Sequence, residues 1–168
     1  MSMTMYDASV PCFARILRAL DGVLTKAENH AAAKKIDPAV LLASRLFPDM
    51  FAFTRQVQIA TDHAKGATAR LAGLEVPKFE DNEQSFADLH ARIAKTLAFI
   101  ESVSAEQING SETRDISLKA GPRELSFKGL GYLTGYAIPN LHFHTVTAYA
   151  ILRHNGVELG KADFLGAI

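Results

Sequence analysis

Three polar side chains, Tyr136, Asn140 and His144, recur at i, i+4 and i+8 in the segment Gly129–Gly156. They run beside an apolar stripe of Leu133, Ala137, Leu141, Ala148, Ile151 and Leu152, so a phenol, an amide and an imidazole share one edge of a buried helix. An imidazole in that position is either a metal ligand or a half-buried side chain bonded to a carbonyl or a phenol, and a zinc site wants three or four ligands. His142 and His144 cannot both face one ion from a regular helix, because residues two apart differ in direction by about 200°. The apolar stripe selects His144 as the inward one.

Other chemistry-bearing residues read more plainly. Asp62-His63 and His90 stand near apolar stripes and are expected to be boundary residues with solvated edges. The chain has a single cysteine, Cys12, with no activating partner nearby in sequence, and it is expected to be a small core residue. No Ser-His-Asp or Cys-His motif stands in a recognisable local context. Gly129-x-Gly131 lacks the remaining glycine of a phosphate loop and follows a hairpin strand rather than opening a βαβ unit.

Four helices position these groups. The first, expected near 4–29, carries Val10, Phe13, Leu17, Leu20 and Leu24 at helical spacing, with Thr4 and Asp7 as a capping box. Pro11 either marks the first turn of a shorter helix or kinks a longer one. The second, near 38–72, starts at Asp37-Pro38, is kinked at Pro48, and offers Ala60, Ala64 and Ala67 for close approach in the middle of the bundle. The third, near 82–102, follows a capping box of Asp81 and Gln84. Alternating Ile116, Leu118, Leu125 and Phe127 around Gly121-Pro122 predict a small β-hairpin. The fourth helix, near 129–155, holds Pro139 with Gly135 at the carbonyl that this proline would free, so a kink with little steric conflict is expected there, and it ends at Gly156. The tail is expected to be irregular, with Leu159, Phe164 and Leu165 packing back on the helices. The pattern predicts one all-α domain over 1–168, an antiparallel four-helix bundle with a hairpin between helices three and four.

A length of 168 residues suits one domain with one core. The 18 basic and 18 acidic side chains cancel, and no Lys/Arg cluster stands out, so a nucleic-acid partner is not expected. No apolar run approaches the ~18 to 20 residues that span a bilayer. With one cysteine and no leader-like N-terminal pattern, the expected location is cytoplasmic.

The stretches RLFPDMFAFTRQVQIATDHAK, RLAGLEVPKFEDNE and PNLHFHTVTAYAILRHNGVELGKADFLG resemble the DinB/YfiT-like superfamily of bacterial four-helix bundles, and more closely a branch of it described as a domain of unknown function. Many members are similar in holding a divalent metal, zinc or nickel, with one histidine from helix two and an HxxxH pair from helix four, followed by LRxxG. Leu152-Arg153-His154-Asn155-Gly156 supplies that ending, and counting back puts His144 on the second histidine and Asn140 on the first. An amide oxygen is a poor zinc or nickel ligand. Around Leu42–Leu46 no imidazole stands where the helix-two ligand is expected, and only Asp49 is near. The resemblance implies a degenerate site in which Asp49, Tyr136, Asn140 and His144 border a pocket. The favoured function is a bundle that binds a small molecule or a partner; the alternative is a metal-dependent, thiol-dependent transferase or isomerase using His144. A homodimer is implied too, and the neutral charge balance leaves no net repulsion to oppose it.

Overall fold

The computed structural model describes residues 2–166, and its first helix starts later than the capping box suggests. Thr4 and Asp7 do exchange hydrogen bonds, Thr4 N to Asp7 Oδ2 at 3.1 Å and Asp7 N to Thr4 Oγ1 at 3.1 Å, but they close a turn. Helix α1 runs Val10–Lys34 with Pro11 in its first turn, which settles the proline as a helix start, where its missing N–H costs nothing. Lys35 ends it in the left-handed conformation. Cys12 is half-buried rather than core, its thiol donating to the Asp7 carbonyl at 3.4 Å.

The expected second helix is two helices, α2 over Pro38–Ala43 and α3 over Phe53–Ala72. Asp37 caps the start of α2 by accepting from Ala39 N at 2.9 Å. The kink expected at Pro48 is instead a full break, and hydrogen bonding explains it. Pro48 has no N–H to offer the Ser44 carbonyl; that carbonyl accepts from Phe53 N at 2.8 Å, which joins the end of α2 to the start of α3. The Leu42 carbonyl likewise accepts from Thr54 Oγ1 at 3.1 Å. Thirteen of the twenty residues of α3 are buried, Ala60, Ala64 and Ala67 fully, so it is the central helix of the bundle.

Helix α4 covers Phe86–Glu101 and is capped by Ser85 with Asp88, not by Asp81 with Gln84. Asp81 is engaged elsewhere. Arg92, on α4 with only 2% of its side chain exposed, reaches Asp81 and Asp62 at 3.0 Å and Glu83 at 2.9 Å. It also donates to Thr61 Oγ1 at 2.7 Å and to the Glu80 carbonyl at 3.1 Å. This network fastens the connector after α3 to both neighbouring helices. His90 behaves as expected of a boundary residue: half-exposed, it pairs with Asp21 of α1 at 2.6 Å.

After the short α5 (Ala105–Ile108), strands β1 (Asp115–Ala120) and β2 (Arg123–Lys128) form the expected antiparallel hairpin, with Ile116 opposite Phe127 and Leu118 opposite Leu125. Gly129 begins the last long helical segment so close to the Ser111 backbone that no side chain fits there. The segment is α6 (Gly129–Tyr132), a π turn (Leu133–Ala137) and α7 (Ile138–His154) in series. Where a kink was expected at Pro139 the structure has that π turn, in which Ile138 N donates to the Leu133 carbonyl, five residues back. The tail is helical where an irregular path was expected: α8 (Lys161–Leu165) docks on α1, with Lys26 and Asp163 paired at 2.7 Å and Phe164 edge-on to Tyr149. In the bundle α3 packs on α4 and α7, and α1 on α4 and α7.

Removing Arg92 strands Glu83, whose side chain is 9% exposed, beside two further carboxylates. Arg92→Ala is expected to cost about 3 to 5 kcal/mol of unfolding free energy in urea titrations, the cost of breaking a buried pair on one side only.

Candidate functional site

The inward face of the last helical segment meets α3 in a row of rings. His144 is 7% exposed, whereas His142 is on the surface, as the apolar stripe requires. The Nδ1 of His144 lies 2.7 Å from Oε1 of Gln56, a residue of α3 that is 1% exposed. Gln56 has little freedom to turn over, because its amide nitrogen donates to the Phe51 carbonyl at 3.1 Å. Its oxygen therefore faces the imidazole, His144 carries its proton on Nδ1, and Nε2 keeps a lone pair.

His63, two turns after Gln56 on the same face of α3, lies with its ring stacked on His144, the centroids 5.8 Å apart and the planes within 14°. Tyr136 meets His63 edge-on at 5.7 Å and stacks on Tyr132 at 5.8 Å, while Phe127 from the hairpin tilts against both tyrosines. His63 keeps a partly solvated edge, as expected of a boundary residue, but its ring is also set against His144 across the helix contact. Gln56 was missed altogether. Its position two turns before His63 on the same face is the signal that was available in the sequence.

Electrostatics keep both imidazoles neutral. Burial pushes His63 down to about 4, helped by His144 and Arg70 and opposed by Asp62. Burial also pushes His144 down to about 4, with the Arg55 charge adding to it. Burial raises the Tyr132 phenol above its ordinary value, against the effect of Arg70, whose Nη1 donates to its hydroxyl at 3.2 Å.

The remaining expected residues fare differently. Asn140 is half-buried, but its amide donates to the Tyr136 carbonyl at 2.7 Å and so stabilises the π turn. Asp49, expected to border the pocket, is exposed on the loop between α2 and α3; splitting the second helix carries it outward, and Gln56 is the polar group that α3 supplies in its place.

A zinc or nickel ion does not fit this donor set. Among the described residues no three His, Cys, Asp or Glu side chains come together in a way that could hold a metal. Imidazole lone pairs lie in their ring planes, so two stacked, nearly parallel rings do not converge on one ion. A guanidinium near His144 further disfavours a dication there. The arrangement instead offers a fixed acceptor, His144 Nε2, beside aromatic walls. A concavity of about 670 Å³ lies elsewhere, lined by Lys78, Phe79 and Lys95, but Arg92 and Glu83 in its wall are already paired with each other.

The comparisons agree with this fold. Residues 5–165 match the family model DUF1993, a domain of unknown function. The crystal structure of a DinB family member protein from Shewanella denitrificans is similar at 45% identity and a TM-score of 0.91, over 97% of this chain and 92% of that one. No curated protein matches the chain.

Acid should reveal the neutral pair. Unfolded histidines titrate near 6.5 and these two near 4, so the unfolded state takes up protons first and stability falls as pH drops from about 6.5 towards 4, with no change above 7. Urea titrations at pH 7.5 and 4.5 should differ by roughly 2 to 4 kcal/mol from this pair, after allowance for the solvent that reaches them, and a His63→Asn/His144→Asn double variant should lose that part of the difference.

Proposed function

The chain belongs to the DUF1993 family and resembles a DinB family member throughout its length, and from that premise we propose that it is a small-molecule-binding bundle whose site is the His63–His144 pair, working without a metal. The Gln56 contact carries the proposal. An amide that is itself held fixes the His144 tautomer and leaves Nε2 as an acceptor beside a second neutral imidazole. Convergent polar groups among aromatic walls are what a small-ligand site requires. A ligand that donates a hydrogen bond to His144 Nε2 while lying against His63 and Tyr136 fits that chemistry.

The proposal extends to assembly and location. Phe47 and Phe51 on the loop between α2 and α3, and Phe143 and Val146 on α7, are exposed by 47% or more. Apolar side chains of that size at the surface support a homodimer. No described helix is long and apolar enough to cross a membrane, and the lone cysteine supports a cytoplasmic location.

Elemental analysis of protein purified without a metal-affinity column should find well under one equivalent of zinc or nickel. A stoichiometric metal lost in His144→Ala would overturn the proposal in favour of the metal-dependent transferase or isomerase. Without a metal role, His144→Ala should cost about 1 to 3 kcal/mol, because Gln56 loses its buried partner. Light scattering at micromolar concentration should report twice the chain mass; a monomer would remove the dimer.

A further inference from the structure

Two asparagines in the chain precede a glycine, Asn109-Gly110 and Asn155-Gly156, and in such a pair the side-chain amide can react with the backbone nitrogen that follows it. Glycine matters because it has no Cβ to crowd that nitrogen and accepts most backbone rotations. Asn29, Asn82 and Asn140 are followed by His30, Glu83 and Leu141, whose side chains hinder the same approach. The sequence treats the two pairs alike, and the fold separates them.

At Asn155 both nitrogens that the reaction uses are engaged. The Gly156 N–H donates to the Arg153 carbonyl at 3.2 Å, and Asn155 Nδ2 donates to the Ile151 carbonyl at 2.7 Å. Val157 N then bonds to the Leu152 carbonyl at 3.1 Å with its side chain 1% exposed, so the peptide plane between Asn155 and Gly156 cannot turn without undoing the end of α7.

At Asn109 the same two nitrogens are free. The residue closes α5 with its own N–H on the Ala105 carbonyl at 2.8 Å, and both it and Gly110 are exposed. Among the described residues neither the Asn109 carbonyl, the Gly110 N–H nor Asn109 Nδ2 has a hydrogen-bond partner. The plane between the two residues can therefore turn without breaking a hydrogen bond, and Gly110, at φ 82°, tolerates the change. Meanwhile the Tyr6 N–H donates to Asn109 Oδ1 at 3.0 Å. That donor draws electron density away from Cγ and stands where negative charge collects when a nucleophile adds there.

We propose that Asn109 is a site of spontaneous deamidation in the folded protein, with water as the co-reactant. The Gly110 nitrogen gives its proton to a solvent base and attacks Asn109 Cγ. The new C–N bond closes a five-membered succinimide, and the side-chain nitrogen takes up a proton and leaves as ammonia. Water then adds to one of the two ring carbonyls and breaks its bond to the nitrogen. The product is aspartate or, where the chain now runs through the side chain, isoaspartate, and nothing is oxidised or reduced. Isoaspartate lengthens the backbone by a methylene and displaces the acceptor of Tyr6 N, so the turn before α1 loses its tie to the loop after α5. Because 18 basic and 18 acidic side chains balance, each conversion also makes the formal net charge negative.

The test incubates the whole chain at pH 8.5 in water enriched in oxygen-18, with and without guanidinium chloride, so that only acid formed during the incubation carries the label. Peptide mass spectrometry then follows Asn109 and Asn155 separately. In the folded chain Asn109 should convert at least tenfold faster than Asn155, with labelled isoaspartate as well as aspartate, and denaturant should bring the two rates together. The converted fraction should focus at a more acidic position and exchange its Tyr6 amide hydrogen faster than the unconverted chain. Equal rates in the folded chain, or faster reaction at Asn155, would overturn the proposal. So would a gap that persists in guanidinium chloride, which would trace it to sequence rather than fold, or labelled aspartate without isoaspartate, which would mean direct hydrolysis of the amide.

Discussion

The packing of α3 against the last helical segment is the contact from which the rest of the structure follows. Helix α3 is buried over most of its length and touches α4, α7, α2, α5 and the π turn. Side chains as small as Ala60, Ala64 and Ala67 let those neighbours come close. At that distance the larger side chains that remain on α3, Gln56, His63 and Arg70, must find partners on the opposing helix or stay unsatisfied in the interior. They find His144, a second imidazole face and the Tyr132 hydroxyl. The site is thus a by-product of the same close approach that makes the core.

Two prolines shape the helices that meet there, and each acts by withholding one N–H. At Pro48 the freed Ser44 carbonyl is taken by the first residue of α3, so the chain can stop, turn outward and restart without leaving a buried acceptor unpaired. At Pro139 the helix continues by widening into a π turn, and Asn140 contributes its amide to the Tyr136 carbonyl. The first device carries Asp49 into solvent and leaves Gln56 facing inward. The second fixes where Tyr132, Tyr136 and His144 stand relative to one another along a segment whose single π turn holds one extra residue.

Charge is distributed with the same economy on both sides of α3. On the side towards α4, Arg92 gathers the acidic residues of the connector and leaves that region satisfied. On the side towards the last helix, burial keeps the two histidines neutral against the pull of Asp62 on His63, and Arg70 faces a phenol. Desolvation, rather than a specific ion pair, sets the protonation of the site.

Local sequence was enough for the apolar periodicities, the Asp37-Pro38 start, the hairpin and the inward direction of His144, because each depends on residues within a few positions of one another. It was not enough for the break at Pro48: a kink and a break differ only in whether some distant or later N–H satisfies the Ser44 carbonyl, and that donor is Phe53. It also misjudged Asp81, a sound N-cap by spacing that Arg92 draws into an ion pair. His63 is the clearest case. Its position at the edge of an apolar stripe makes it a boundary residue, and what its inner side meets was decided by the rotation and register of the last helix, which set another imidazole against its face. Periodicity fixes which way a side chain points from its own helix; only packing decides what it meets.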